Sequence, residues 1–105
     1  MIEEKHFERA FALQAIEWRK HALERMIERG ISRDEVREVV LQGEIIEEYE
    51  TNKPFPSALF YKTIGERPLH ILVAFDKKEP QAFVITAYEP TLDKFEPDFK
   101  TRRKT

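Results

Sequence analysis

The residues of this chain best suited to chemistry are histidines with basic or hydroxyl side chains nearby. His21 is followed at helical spacing by Arg25 and Arg29. Histidine changes charge near neutral pH, and arginine is a permanent cation whose guanidinium matches the geometry of phosphate. The pattern therefore indicates acid/base work on a phosphodiester, with His21 and Arg25 as candidate catalytic residues.

A second candidate group lies in the strand-like region. Successive strand residues point to opposite faces, so His70 should face away from the apolar Ile71 and Val73. Antiparallel pairing with the next strand would place His70 opposite Tyr88 and diagonal to Thr86. We predict that these three polar side chains converge on the more open face of the sheet, unless a bulge interrupts the alternation. The same alternation assigns to the apolar face Phe83, Ile85 and Ala87.

Four arginines are candidates for holding a nucleic-acid phosphate. Arg29 follows His21 along the same helix, Arg67 lies in the turn before His70, and the end of the chain is locally basic. The last two candidates, in that basic tail, are Arg102 and Arg103. The net charge of -2 argues against a basic surface over the whole domain, so a polyanion would be held at one place only. For the basic tail, the alternative to phosphate binding is a solvated, frayed terminus.

Each candidate also has an ordinary structural interpretation. His21 lies at the border of an apolar helix stripe and could hydrogen-bond a backbone group, whereas Arg25 and Arg29 could pair with neighbouring glutamates. His70 could be a half-buried structural histidine, and the hydroxyl residues near it are common strand formers. The sequence leaves both interpretations open.

Length and composition indicate one domain of a soluble cytoplasmic protein. A chain of 105 residues can bury a core without a metal or disulfide, and it contains no cysteine. We expect a single domain over residues 1–105, with the core at about 16–90 and a basic tail at 91–105. The first residues lack the features of a signal peptide, and no apolar stretch reaches the roughly 20 residues that span a bilayer. No membrane association is expected.

The N-terminal half has a helical pattern. From about Lys5 to Arg29 there is no glycine or proline, and helix formers dominate. A straight helix of that length would run to roughly 37 Å, long for so small a domain, so we expect a break near residues 14–17. The apolar positions form a stripe that should be buried, namely Ala15, Ile16, Trp18, Ala22, Leu23, Met26 and Ile27.

The next helix has clear start and stop signals. Gly30 can end the preceding helix in the left-handed conformation, and Ser32 with Glu35 forms a capping box. A helix is therefore predicted from about Arg33 to Gln42, ending at Gly43.

After Gly43 the apolar pattern changes to the alternation typical of strands. Ile45 and Ile46 lie among glutamates and predict a charged edge strand, and two prolines then mark a loop. Three more strands are predicted at Ala58–Ile64, Leu69–Phe75 and Ala82–Tyr88. The predicted fold class is α+β, with two or three N-terminal helices packed on one face of a four-stranded antiparallel sheet.

Other chemistries have no support in the sequence. There is no glycine-rich phosphate loop, nucleophile elbow or paired-histidine zinc helix. The histidines at positions 6, 21 and 70 lack metal-ligand spacing, so no metal and no cofactor is expected. A helix-turn-helix DNA reader is rejected because the second helix carries Asp34, Glu35 and Glu38 where cations are needed.

Nearly the whole chain from about Ile16 resembles the bacterial domain-of-unknown-function family 4258. The segments that carry the resemblance are Trp18 to Ser32, Gly43 to Ile46, Pro54 to Ser57, Arg67 to His70, Thr86 to Pro90 and the closing Arg102-Arg103. No established activity comes with that family. The family in turn is similar to RelE-type bacterial toxins, compact α+β nucleases that cleave RNA without a metal. That further comparison is one of folds, and this chain lacks the strongly basic composition of the ribosome-dependent toxins.

Two hypotheses of function follow. The first is a small metal-independent ribonuclease, the toxin of a toxin–antitoxin pair, in which the ribose 2′-hydroxyl attacks the adjacent phosphate. His21 and His70 would be base and acid, Arg25 would steady the phosphoryl charge, and Thr86 and Tyr88 would orient the phosphate. This requires both histidines to reach one phosphate. The second is a non-enzymatic module whose open sheet face or edge strand docks a protein. The expected partners are RNA, an antitoxin or another protein.

Overall fold

The computed structural model describes residues 2–104, which form three helices and a five-stranded sheet. The elements in chain order are α1 (Glu4–Ala12), β1 (Ile16–Trp18), α2 (Lys20–Arg29), α3 (Arg33–Gln42), β2 (Glu44–Tyr49), β3 (Ser57–Ile64), β4 (Arg67–Asp76) and β5 (Gln81–Tyr88). The strand order is β1-β5-β4-β3-β2. The α+β class is confirmed, but the four-stranded antiparallel sheet is wrong in detail because β1 adds a fifth strand, parallel to β5.

The break predicted between the first helices is present, and it holds the unpredicted strand. α1 ends at Ala12, and Gln14 takes a positive φ of 57°, which turns the chain. Ile16 then pairs with Ala82, and Trp18 with Val84. These two apolar residues, assigned from the sequence to a helix stripe, are strand residues because β5 supplies their backbone partners.

The helices cover one face of the sheet, here called the inner face. Ala22 and Met26 of α2 are buried there, as the helix stripe predicted. Ile27, assigned to the same stripe, is 81% exposed, so that part of the prediction is wrong. The inner face of the sheet itself contributes Ala58, Phe60, Leu69, Ile71, Val73, Phe75, Ala82, Val84 and Ala87.

The signals at the α2–α3 junction act as predicted. Gly30 is in the left-handed conformation with φ 65°. The Ser32 hydroxyl accepts from the backbone N–H of Glu35, and the Glu35 carboxylate accepts from the backbone N–H of Ser32. α3 runs from Arg33 to Gln42, and β2 at the edge of the sheet follows directly.

A bulge in β5 changes which of its side chains face the helices. Thr86 pairs with Leu72, but the next pair along is Val84 with Val73, so Ile85 is the extra residue. Val84 is therefore fully buried, whereas Ile85 is 38% exposed. The assignment of Ile85 to the apolar face is wrong for this reason. Phe83 is shifted too and stacks on Phe55, while Ala87 lies in the core as predicted.

The other face of the sheet, the outer face, is covered by the C-terminal segment 91–103. This segment is folded, because Phe95 forms a bridge with Arg102 and the N–H of Glu96 donates to the carbonyl of Thr101 at 2.8 Å. The Phe95 side chain is only 2% exposed. The expectation that this face stays open is therefore wrong around His70. Among the described residues, no helix is long and apolar enough to cross a membrane.

Candidate functional site

His21 and Arg25 lie on the solvent side of α2. The His21 side chain is 92% exposed and its Nδ1 lies 3.3 Å from a carboxylate oxygen of Glu24, while Arg25 forms an ion pair with Glu28 at 3.3 Å. α2 packs on the inner face, whereas the His70 side chain is on the outer face. The two histidines are thus on opposite sides of the sheet and do not share a site.

His70 is fully buried and uses both ring nitrogens. Its Nε2 is 2.6 Å from the carbonyl oxygen of Phe99, and its Nδ1 is 3.2 Å from the hydroxyl oxygen of Tyr88. A carbonyl can only accept, so in the neutral ring the proton is on Nε2 and the lone pair is on Nδ1. The Tyr88 hydroxyl therefore donates to His70 Nδ1. This is the direct pairing of His70 with Tyr88 expected from strand alternation.

Burial keeps the His70 ring neutral. It lowers the pKa of His70 below its ordinary value, and this effect outweighs the Phe99 carbonyl and the Glu47 carboxylate, which both favour the protonated ring. Phe95 and Tyr61 hold the ring by edge contacts at 4.6 and 5.6 Å between centroids. The orientation of His70 is thus fixed by its neighbours.

Tyr88 joins this histidine to a charged pair. Burial raises the pKa of Tyr88 above its usual range, so its hydroxyl stays protonated over a wide range of pH. Next to it, Arg102 donates to both carboxylate oxygens of Glu47, at 2.8 and 3.1 Å, and stacks over Phe95 at 4.8 Å. The outer face thus carries a connected group of His70, Tyr88, Arg102 and Glu47.

Glu47 stays ionised in this group. Burial alone would raise the pKa of Glu47, but the hydrogen bonds from Arg102 and Tyr49 outweigh burial, and the net shift is downward. Tyr49 shows the complementary effect, because burial and its bond to Glu47 raise its pKa. A neutral imidazole thus lies beside an ion pair.

An open cleft gives access to Tyr88. Its volume is about 510 Å³, and it lies between the end of β5, the end of α2 and the C-terminal segment. The residues that line it are Arg29, Tyr88, Glu89, Pro90, Thr91, Asp93, Lys94, Phe95 and Arg102. Three cations, two carboxylates and one phenol therefore line a space large enough for a phosphate and its sugar.

The predicted arginines divide into two classes. Arg29 donates to the carbonyl of Ala87 at 2.8 Å and, within the described part of the chain, forms no ion pair, so its charge is available in the cleft. Arg67 is held by Glu35 at 2.7 Å and by the carbonyl of Gly30 at 3.0 Å. It fastens the α2–α3 junction to β4.

Two more predicted residues lie beside the cleft without lining it. Arg103 donates to the carbonyl of Leu92 and pairs with Glu96 at 3.4 Å, so it holds the C-terminal segment closed. Thr86 shares the outer face with His70 but pairs with Leu72, one step farther along β5. The structure thus brings together Tyr88, His70, Arg29 and Arg102 of the predicted set.

Sequence reasoning missed four contributors to the site. Glu47 was interpreted only as part of a charged edge strand, and Lys94, Phe95 and the Phe99 carbonyl lie in a segment given no structure. The sequence did contain one signal for this segment, namely two aromatic residues within the basic tail. Aromatic side chains are mostly buried in folded proteins, so their presence indicates that the segment packs against the domain. Among residues 2–104, no group of three or more possible ligands could hold a metal ion.

Fold and site together define a small α+β domain with a polar cluster on the outer face of a mixed sheet. The family described as a domain of unknown function (DUF4258) matches residues 18–89, about two thirds of the chain. The chain belongs to this family. The match includes His70 and Tyr88 but ends before the segment that covers them. No curated protein and no solved structure matches the chain.

Proposed function

We propose that this protein is a metal-independent ribonuclease whose cleft beside Tyr88 binds and cleaves a phosphodiester of single-stranded RNA. One observation carries the proposal. Tyr88, whose hydroxyl donates to the lone pair of a neutral, buried histidine, also lines a cleft together with Arg29 and Arg102. A phenol with a proton acceptor behind it and cations in front can transfer a proton beside a bound phosphate.

The roles differ from those that the sequence pattern suggested. The ribose 2′-oxygen bonds to phosphorus, and the bond from phosphorus to the 5′-oxygen breaks. Tyr88 accepts the 2′-hydroxyl proton as its own proton passes to His70 Nδ1. The departing 5′-oxygen takes a proton from water, and His70 then returns its proton through Tyr88 to the hydroxide formed. The products are a 2′,3′-cyclic phosphate and a 5′-hydroxyl.

The charges of the cleft suit one phosphate rather than a long polyanion. Arg29 forms no ion pair among the described residues, Lys94 interacts with the carboxylate of Asp93, and Arg102 already neutralises Glu47. Glu89 and Asp93 also line the cleft and reduce the positive potential further. Arg29 thus supplies the attraction, and Arg102 stabilises charge on the phosphoryl oxygens.

The choice of RNA as the substrate follows the resemblance to RelE-type toxins that we expected from the sequence, which is an analogy of fold alone. A toxin of this kind is made with an antitoxin, so the proposal includes a protein partner that blocks the cleft. The alternative of a docking module has less support on the outer face, because a partner there would have to displace the buried Phe95. Its remaining surfaces are the part of the outer face away from Phe95, where Leu72 and Thr86 are only partly buried, and the edge strand β2.

The test compares two tyrosine variants that differ in access to the cleft. Tyr88→Phe removes the hydroxyl that transfers the proton, and we expect cleavage of single-stranded RNA to slow by about 10² or more while binding is kept. Tyr61→Phe is the matched control, because Tyr61 also contacts the His70 ring but its hydroxyl bonds to Thr63 instead. Single-turnover cleavage rates measure both.

Equal rates for Tyr88→Phe and the unmodified protein would remove Tyr88 from the mechanism. If RNA neither binds nor is cleaved even at low salt, the docking module is the better account.

A further inference from the structure

A second cavity lies at the opposite end of β5 from the cleft. It is formed by the start of α1, the loop before β3 and the turn that joins β4 to β5, and its volume is about 390 Å³. It is lined by Ile2, Glu3, His6, Phe7, Pro54, Phe55, Pro56, Phe75, Asp76, Lys77 and Lys78. Cavities that hold small ligands begin at roughly 300 Å³, so this one accepts a single ring system and a substituent.

The walls of this cavity are flat rings held in place by other rings. Phe55 stacks on Phe83 with centroids 5.2 Å apart and planes 7° apart, and Arg19 lies over Phe83 at 4.9 Å. His6 stacks on Phe75 at 5.3 Å with parallel planes. Rings whose positions are fixed in this way form a preorganised surface on which a planar heteroaromatic group can stack.

The rim of the cavity carries positive charge with no partner. Among residues 2–104, the ammonium groups of Lys77 and Lys78 form no ion pair. Two carboxylates also line the cavity, and in the described part of the chain only that of Glu3 is paired with other side chains, so Asp76 offsets part of the lysine charge. Glu3 pairs with Lys5 and His6 at 3.5 Å each, and Asp76 accepts from the backbone N–H of Lys78 at 3.0 Å. An anionic substituent therefore finds two available cations beside the aromatic walls.

We infer that this cavity is a nucleotide-binding site, in which the base stacks among the rings around Phe55 and the phosphate is held by Lys77 and Lys78. The rings and lysines would suit any planar aromatic anion, and we choose a nucleotide because the inference rests on the proposed function. From Ala82, beside the cavity, to Tyr88 the strand spans roughly 20 Å. An RNA strand would thus place one base in this cavity, several nucleotides from the bond that Tyr88 cleaves.

The experiment is a calorimetric titration of the full chain with 5′-AMP, adenosine and inorganic phosphate. We expect 5′-AMP to bind most tightly, adenosine more weakly, and phosphate alone most weakly. Phe55→Leu keeps an apolar side chain but removes the ring, and it should weaken 5′-AMP binding at least fivefold, which corresponds to the lower end of stacking energies, about 1 kcal/mol. Competition by a short single-stranded RNA would identify RNA as the source of the base, and its absence would identify a free nucleotide.

The two lysines are tested separately, and this test remains valid even if the Phe55→Leu variant does not fold. Lys77→Gln with Lys78→Gln should reduce 5′-AMP affinity to that of adenosine, and Lys20→Gln on α2 should leave it unchanged. Tyr88→Phe should also leave 5′-AMP affinity unchanged, which separates this inference from the proposed cleavage. No binding of 5′-AMP at millimolar concentration, or equal binding by Phe55→Leu and the unmodified protein, would overturn the inference whatever the outcome of the cleavage assay.

Discussion

At the scale of single residues, the chemistry of the outer face depends on one carbonyl group. The Phe99 carbonyl accepts from His70 Nε2, and this leaves Nδ1 free to accept the Tyr88 proton. The pairing of His70 with Tyr88 is as predicted from the sequence, although the bulge at Ile85 lies between this pair and the turn that joins β4 to β5. Sequence alternation could not predict the partner at Nε2, which comes from 29 residues along the chain.

The buried His70 should make stability depend on pH. Its folded pKa is below the unfolded value of roughly 6.5, so the unfolded state binds more protons as pH falls through that value. We therefore expect the free energy of unfolding to be greatest above about pH 6.5 and to decrease towards pH 5.5. Urea titrations at several pH values measure this decrease, and His70→Gln should abolish it.

The matched control is His21→Gln, because the His21 side chain is 92% exposed. This variant should keep the decrease. Glu35 and Glu47, two partly buried carboxyl groups whose pKa values are lowered, lose their contribution to stability only at lower pH, below about 4.5. A stability that is flat from pH 7.5 to 5.5 in the unmodified protein would contradict a buried neutral His70.

At the scale of helices and strands, the sequence predicted the elements whose bounds depend on neighbouring residues. It did not predict the features that depend on contacts between distant parts of the chain. The bounds of α3 follow from Ser32, Glu35 and Gly43, whose effects act within one turn of helix. β1 has only three residues and exists because β5 pairs with it, so no periodicity could identify it. The bulge at Ile85 likewise depends on packing of Val84 against the helices, which outweighs simple alternation.

The capping box gives a prediction at this scale. Ser32→Ala removes the acceptor for the Glu35 backbone N–H, and we expect it to lower the free energy of unfolding by about 1 kcal/mol. Ser32→Asp keeps a good cap and should change stability much less. Urea midpoints for both variants measure the difference. If alanine and aspartate were equally tolerated, the Ser32 hydroxyl would have no role in starting α3.

At the scale of the whole molecule, the C-terminal segment completes the domain on its second face. It supplies Phe95 to the outer-face core, Arg102 to Glu47 and the Phe99 carbonyl to His70. Removing the residues after Phe99 would therefore take away the partner of Glu47 and would not be a clean test of RNA binding. The basic composition of this segment left open a phosphate-binding tail or a solvated terminus. It could not show that the segment packs on the sheet, because the partners lie on strands distant in sequence.

The measurement that tests the central claim most directly is analysis of the RNA ends made by the purified protein in the presence of EDTA. We expect cleavage of single-stranded RNA to give 2′,3′-cyclic phosphate and 5′-hydroxyl ends, and a 2′-deoxy sugar at the scissile position to block it. Tyr88→Phe, purified in the same way, is the control for contaminating nucleases and should give almost no product. Absence of cleavage, loss of activity with EDTA, or 3′-hydroxyl ends would contradict the assignment of this cleft to metal-independent RNA cleavage.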